Sequence, residues 1–462
     1  MNFDKIHSVY FVGIGGIGMS SLARYFMDIG KKVCGYDKTP SPITENLEND
    51  GAFIHFEDDP KFIPEQINKQ NSLIVYTPAI PKENACLNYF KDNNFVIKKR
   101  SQLLGDITKD KFTIAVAGTH GKTSTASIIA HLLKNSGIDC YGFIGGICVN
   151  YNSNYISPDN KKSEIFVVEA DEYDRSFLEL SPDVAIITSV DPDHLDIYDN
   201  EENLKSSYND FAKKLKNNAV LSLSSTIKSI AKPEQAKTLY SYGLESSNDF
   251  YASNIKIINS DYHFDIHTPK GEIKNVNLKV AGEHNVLNTL AAISAVYKKI
   301  EDSNKIKESI STYQGVKRRF EYIIKSKELV FIDDYAHHPS ELIAIITSVK
   351  NIFPDKRITG IFQPHLFSRT RDFADAFAKN LSLLDKVILL DIYPAREKPI
   401  KAVNSELILN KIEIKNKELL SKTELLEVMK SEENDVVLTL GAGDIDRVVE
   451  PLKEILLQRR NN

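Results

Sequence analysis

The sequence predicts an α/β protein of three domains built on mostly parallel sheets. Three observations lead there. The chain has 462 residues, which at roughly 100 to 200 residues per domain implies about three domains. Short apolar runs alternate with helical stretches along most of its length, the pattern of parallel strands joined by crossover helices. At two places, near residues 13 and 118, a strand runs through a glycine-containing turn straight into a helix, the position at which such sheets present ligands.

In order, 7–12 is expected as a buried strand, 16–29 as a helix stopped by Gly30, and 32–36 as a second strand, a β-α-β opening. Further strands are expected at 73–76 and 95–97, and the polar stretch 101–111 reads as a connector. The first domain is therefore assigned to 1–106. The second, 107–314, opens with a strand at 112–117, a turn and the helical pattern 125–133. It continues with strands at 165–168 and 184–189, alternating strands across 251–280 and an alanine-rich helix at 285–299. The third, 315–462, carries strands at 329–332, 359–362, 387–390 and 436–440 between helical stretches.

Hydrophobic residues at 42% and charged residues at 26% match an ordinary globular protein and exclude disordered, collagenous and coiled-coil classes. Lys+Arg of 58 against Asp+Glu of 63 gives a net charge of −5, without the basic footprint of a nucleic-acid binder. No nucleic-acid partner is expected. Cys34, Cys86, Cys140 and Cys148 form no CxxC pair, so neither a disulfide framework nor a zinc site is suggested, and a reducing cytoplasm fits. The N-terminal residues lack the layout of a signal peptide. No run approaches the roughly 18 apolar residues of a membrane helix, so no membrane insertion is expected.

Gly13-Ile-Gly15-Gly16-Ile-Gly18 satisfies G-x-G-x-x-G between a strand and a helix, where small residues let a diphosphate approach backbone N–H groups at a helix N-terminus. Asp37, 24 residues after Gly13, is placed to accept from a ribose hydroxyl. A tight turn whose glycines serve only helix packing is the plainer reading. The strand-turn-helix context favours a dinucleotide or sugar-nucleotide site without choosing between them.

Gly118-Thr119-His120-Gly121-Lys122-Thr123-Ser124 departs from the strict G-x-x-x-x-G-K-[ST] pattern, because Val116 stands at the first glycine. Its mechanics are intact: backbone N–H groups cradle phosphates, Lys122 reaches the β/γ oxygens and the Thr123 hydroxyl ligates Mg²⁺. Glu169, Asp171 and Glu172 follow one buried strand; Asp191, Asp193, His194 and Asp196 follow the next. Glu169 and His194 are expected to bind Mg²⁺ beside phosphates, Asp193 and Asp196 to orient His194, and the other acids to lie in solvated loops. In the third domain His337, His365 and Arg369 fall just after strands, at the ends where a parallel sheet holds ligands. Arg369 is of the type to pair with a carboxylate, and the plainer reading is that Arg369 and Arg371 start a solvated helix and bind nothing; the resemblance described next favours the carboxylate for Arg369 and leaves Arg371 on the surface.

These residues resemble the ATP-dependent Mur ligases over nearly the whole chain. Besides the two loops, the likeness rests on Met19 after the first, Glu169-Ala-Asp-Glu172, Asp193-His-Leu-Asp196, Gly282-Glu-His-Asn-Val-Leu-Asn288, Gly315-Val-Lys-Arg-Arg-Phe320, Asp333-Asp-Tyr-Ala-His-His-Pro339 and Gln363-Pro-His-Leu-Phe-Ser-Arg369. The resemblance implies an N-terminal Rossmann-like domain gripping the UDP part of UDP-N-acetylmuramate through Gly15, Gly16, Gly18, Met19 and Asp37. It implies a central P-loop-type ATPase and a C-terminal Rossmann-like domain closing over ATP. Asn285 and Asn288 would lie by the adenine, Arg318 and Arg319 would face the nucleotide, and Asp334 its ribose. The implied reaction is amide ligation of L-alanine through an acyl phosphate, with Lys122, Arg319, His337 and Arg369 as catalytic groups and His365 at the substrate, in a monomer or weak homodimer. Two departures stand out. Later-acting relatives carry a modified lysine about fifteen residues after the metal histidine, where this chain has Asn209, and many have Arg where this chain has Leu366.

The nearest alternative is a ligase attaching a recycled tripeptide to the same sugar nucleotide. A nicotinamide dehydrogenase would explain Gly13 to Gly18 and Asp37 but leave the second loop and Glu169 without a role. A GTP switch lacks an Asn-Lys-x-Asp motif, and a non-enzymatic adaptor has no use for so many polar groups at strand ends.

Overall fold

The computed structural model describes residues 3–192, 195–395 and 397–458. Its first sheet orders the strands Phe53–His55, Lys32–Tyr36, Ser8–Val12, Ser72–Tyr76 and Val96–Lys99, all paired in parallel. The central strand Ser8–Val12 is buried at every position, which is why it reads as an unbroken apolar run rather than an alternating one. The ten-stranded second sheet runs Gly271–Leu278, Asp261–Thr268, Phe250–Ile258, Ala236–Gly243, Ala219–Ser224, Val184–Ile187, Phe112–Ala117, Ile165–Glu169, Tyr141–Cys148, Ser153–Ile156. The third runs Glu321–Lys325, Val330–Asp334, Val436–Leu440, Ile358–Phe362, Lys386–Leu389, Lys417–Leu419. Its first pair is antiparallel and the rest are parallel. The first sheet and most of the second belong to one compact unit, and the third to another.

One expectation is corrected. The stretch read as a connector is a helix, Arg100–Thr108, burying Leu103, Leu104 and Ile107. Its polar residues outnumber the apolar ones, and they mask three apolar positions that share one helical face. The Gln102 side chain accepts from the Lys99 N–H at 3.2 Å and fixes the helix start. The helix expected at 125–133 spans Lys122–Asn135, since its polar first turn carries no periodic signal.

Within the first unit, the helix Ile17–Asp28 is bound to the second sheet. The Tyr25 ring lies 5.5 Å from Tyr141 and 5.6 Å from Phe143, contacts worth roughly 0.5–1.5 kcal/mol each beyond their buried area. Asn154, fully buried, donates to the Ile17 carbonyl at 2.5 Å and accepts from Arg24 at 2.6 Å. Tyr155 and Ser157 hydroxyls both donate to Asp28, at 2.9 and 2.7 Å. The glycine loop ahead of this helix is thereby held at a fixed place relative to the second sheet.

Candidate active site

The loop 118–121 joins the buried strand Phe112–Ala117 to the helix Lys122–Asn135. Gly118 and Gly121 have φ of +133° and +81°, a region that only glycine enters without strain. Side-chain carbons there would also collide, with the Thr188 hydroxyl and with the Asn288 amide respectively. Neighbouring strand ends hold the loop. His120 N–H donates to Ser189 Oγ at 2.9 Å, Thr119 Oγ1 donates to the Asp191 carbonyl at 2.9 Å, and the Thr188 hydroxyl donates to the His120 carbonyl. Lys122 Nζ turns back into this frame. It donates to the carbonyls of Gly118 and Thr119, at 2.6 and 3.2 Å, and lies 2.9 and 2.8 Å from the two oxygens of Glu172. Burial opposes its charge, but the carboxylates of Glu172, Glu169 and Asp171 outweigh that and hold it above the usual lysine range. Burial in turn lifts Glu172; with four acceptor atoms around Nζ, the pair is ionised.

Thr123 donates to Glu169 Oε1 at 3.0 Å, and Gly145 N–H donates to Glu169 Oε2 at 2.8 Å. A hydroxyl and a carboxylate thus converge at the mouth of the loop. That donor set suits Mg²⁺, which keeps several waters and takes only one or two protein ligands beside phosphates. Among the described residues no group of three or more His, Cys, Asp or Glu is gathered for a metal. His194 and Asp193 lie outside the described residues. Ser124 is partly exposed in the helix's first turn. Asn288 is buried and accepts from Thr125 Oγ1 at 3.3 Å.

At the first loop, Asp37 accepts from the N–H of Gly15 at 2.7 Å and of Lys38 at 2.8 Å. A Cβ on Gly15 would stand 2.9 Å from the Asp37 carboxylate and from Thr44, so this glycine makes room for both side chains. Gly16 caps the helix Ile17–Asp28, whereas Met19 is 1% exposed and belongs to the hydrophobic core. Gly18 faces a residue that the sequence does not announce. Its Cβ would lie 3.1 Å from the guanidinium of Arg100, which also donates to Asp171 at 3.2 Å. The available signal was the run Lys98-Lys99-Arg100 at the end of a strand.

In the second unit, Arg318 (φ +60°) donates to Asp333 at 2.9 Å and to the Gly441 carbonyl at 2.6 Å, so its guanidinium is engaged within its own domain. Asp334 accepts from the N–H groups of Phe320 and Ala336 at 2.7 and 2.8 Å, and burial lifts its carboxyl to about 6. Asn285 donates to the Ala281 carbonyl at 2.6 Å. Arg319 lies 5.1 Å from the Tyr335 ring centre and 3.7 Å from Glu341. His337, His365 and Arg369 come together: the two imidazoles are 5.8 Å apart, and Arg369 is 3.4 Å from His365 Nδ1. His365 stacks on Tyr393 at 5.7 Å. Tyr335 and Tyr393 were not singled out by the sequence. Leu366 is held at φ +69° by its N–H bond to Tyr393 at 2.9 Å and by Thr370 Oγ1 at 2.8 Å, a strain of roughly 1–3 kcal/mol of the kind found at binding sites. Arg371 pairs with Asp372 at the surface.

Burial pushes His131, His284 and His365 each down to about 4. Unfolded histidine titrates near 6.5, so between about pH 6.5 and 4 the unfolded chain binds protons that the folded chain refuses, and stability falls as pH drops through that window. Asp334, raised to about 6, opposes this, as do Glu172, Glu321 and Asp333, which burial also lifts, whereas His55 and His337, lowered by burial, add to it. The denaturant midpoint is therefore expected to be lower at pH 5 than at pH 7.5; an unchanged or higher midpoint at pH 5 contradicts the buried neutral histidines.

Three family models match the chain: "Mur ligase family, catalytic domain" over residues 8–112, "Mur ligase middle domain" over 116–296 and "Mur ligase, glutamate ligase domain" over 318–443. A UDP-N-acetylmuramate--L-alanine ligase of Flavobacterium psychrophilum is 47% identical over 456 residues, 99% of both chains. Another from Parabacteroides distasonis is 47% identical over 460 residues, again 99% of both. The crystal structure of the UDP-N-acetylmuramate-alanine ligase of Thermotoga maritima superposes with a TM-score of 0.82 at 26% identity, covering 98% of this chain and 99% of that one. A murein peptide ligase from Psychrobacter arcticus superposes with a TM-score of 0.69 at 23% identity, covering 99% of each chain, a likeness of fold.

Proposed function

The chain belongs to the Mur ligase family, and on that footing we propose that it joins L-alanine to the lactyl carboxylate of UDP-N-acetylmuramate at the expense of ATP, in peptidoglycan precursor synthesis. The observation that carries this is 47% identity over 99% of the chain to ligases of that name. Residues 1–106 hold the sugar nucleotide, 107–314 hold ATP, and 315–462 supply the amino-acid groups. With UDP-sugar and ATP as substrates, the reaction belongs in the cytoplasm.

The carboxylate oxygen attacks the γ-phosphorus and ADP leaves. The alanine nitrogen then attacks the acyl carbon, phosphate leaves and the ammonium-derived protons pass to water. Little covalent work falls to side chains in phosphoryl transfer, so the protein's share is positioning and charge. Loop N–H groups and Lys122 face the phosphates, Gly15, Gly16 and Gly18 with Arg100 face the diphosphate, and Arg319, His337, His365 and Arg369 serve the amino acid and the developing charge. Thr123 and Glu169 would hold Mg²⁺, which when bound neutralises phosphate charge.

Phosphate release with UDP-N-acetylmuramate and a panel of amines tests the reading. L-Alanine is expected to outpace L-Ala-γ-D-Glu-diaminopimelate at least tenfold in kcat/KM, since a site built for a free amino acid gains nothing from the longer chain. A faster tripeptide moves the chain to the recycling reaction, and no turnover with either removes the ligase assignment.

A further inference from the structure

Resting on the reading of 118–124 as the ATP loop and 13–18 as the diphosphate loop, we propose that Glu172 is a positioning residue that holds Lys122 away from the phosphate site in the unliganded enzyme, and that Arg100 links its release to the sugar-nucleotide diphosphate.

Lys122 Nζ, which has three protons to donate, is surrounded by the Gly118 and Thr119 carbonyls and both oxygens of Glu172. To reach a phosphate it must give up some of these. Glu172 is 2% exposed, so its attraction is little screened by solvent. The segment that carries it is tied down on both sides of the glutamate: Asp171 accepts from Arg100 at 3.2 Å, and Asp174 pairs with Lys99. Asp174 and Arg175 sit at φ +54° and +55°, a conformation that non-glycine residues keep only where their surroundings impose it. Tyr198 OH, 5.5 Å ring to guanidinium from Arg175, donates to the Glu172 carbonyl at 2.5 Å. Arg100 in turn borders Gly18. A diphosphate on the first loop competes with Asp171 for that guanidinium. When Arg100 turns to it, one tie on the 171–175 segment is lost, and Glu172 holds Lys122 less firmly. By linkage, ATP then tightens the sugar nucleotide by the same factor.

The test is calorimetric titration of Mg·AMP-PNP into the wild type, Glu172→Gln and Asp171→Asn, each with and without saturating UDP-N-acetylmuramate. The wild type is expected to bind AMP-PNP about 5-fold or more tightly with the sugar nucleotide present, the lower range of ordinary coupling. Both variants are expected to bind AMP-PNP more tightly than the wild type when it is absent, by about 3- to 10-fold, and to gain less than about 2-fold from adding it. Damage to the fold would weaken binding, and loss of a nearby carboxylate by itself would tighten it while leaving the response to the sugar nucleotide intact, so a gain joined to a lost response reports release of the lysine. Variants that bind no more tightly than the wild type, or a wild type indifferent to the sugar nucleotide, overturn the inference. A wild type that binds no AMP-PNP overturns the ATP-loop reading itself and this inference with it.

Discussion

Lys122→Ala is expected to lower kcat by about 10²-fold or more, the scale on which single preorganised charges act on a transition state. On the proposed reading, the change removes the ammonium that leaves the Gly118 and Thr119 carbonyls and Glu172 to meet the phosphoryl charge as it develops. It also leaves Glu172, 2% exposed, without the cation 2.8 Å away, and breaking a buried pair from one side costs roughly 3–5 kcal/mol of stability. Lost activity alone is therefore ambiguous. The double variant Lys122→Ala, Glu172→Gln removes the orphaned charge. It should recover most of the thermal stability while staying at the single variant's low turnover. Rate and stability then separate, as they must if the lysine serves the reaction rather than the fold. Near-normal ADP formation by the single variant at saturating substrates ends the phosphate-loop assignment.

How far the sequence exposed this arrangement depends on where the partners lie. Strands such as Phe112–Ala117 and Val436–Leu440 are fully or nearly fully buried in parallel sheets, and a strand buried on both faces leaves a continuous apolar run. Gly118 and Gly121 were legible because their backbone angles demand glycine. Arg318 was not. Its partners Asp333 and Gly441 are set by sheet pairing between Val330–Asp334 and Val436–Leu440, which no local pattern encodes. Arg100 was hidden for a related reason: its importance comes from Gly18 and Asp171, residues 82 and 71 positions away, brought together only when the helix Arg100–Thr108 forms. Glu172 looked like one acid among several in an exposed loop, and its burial against Lys122 is a property of the folded second sheet.

Arg369→Lys is expected to raise the KM for L-alanine roughly tenfold or more, because a charge-assisted hydrogen bond is worth about 1.5–3 kcal/mol and lysine cannot reproduce the planar two-point grip, while the KM for ATP stays within about twofold. The neighbours explain why so much rests on this side chain. His365, 3.4 Å from it, is pushed down to about 4 by burial, by His337 and by Arg369 itself. Burial lowers His337 too, with Arg369 adding to it and Glu341 opposing. Neither imidazole therefore carries a positive charge near pH 7, and both remain as neutral hydrogen-bonding groups. Position 366 is leucine, which brings no charge, and is held at a strained φ of +69°. Glu397 sits close by, but it already accepts from the Ser368 N–H at 2.9 Å and from the Ser368 hydroxyl, which fixes the start of the helix Phe367–Leu381 and with it the base of Arg369. On the proposed reading, Arg369 is therefore the main cation for an amino-acid carboxylate in this cluster, with Arg319, which also acts on His337, held by Glu341 and the Tyr335 ring. The comparison to make is steady-state kinetics of Arg369→Lys with alanine and ATP varied in turn. A rise confined to alanine supports carboxylate binding here; equal rises for both substrates, or none, place the carboxylate elsewhere.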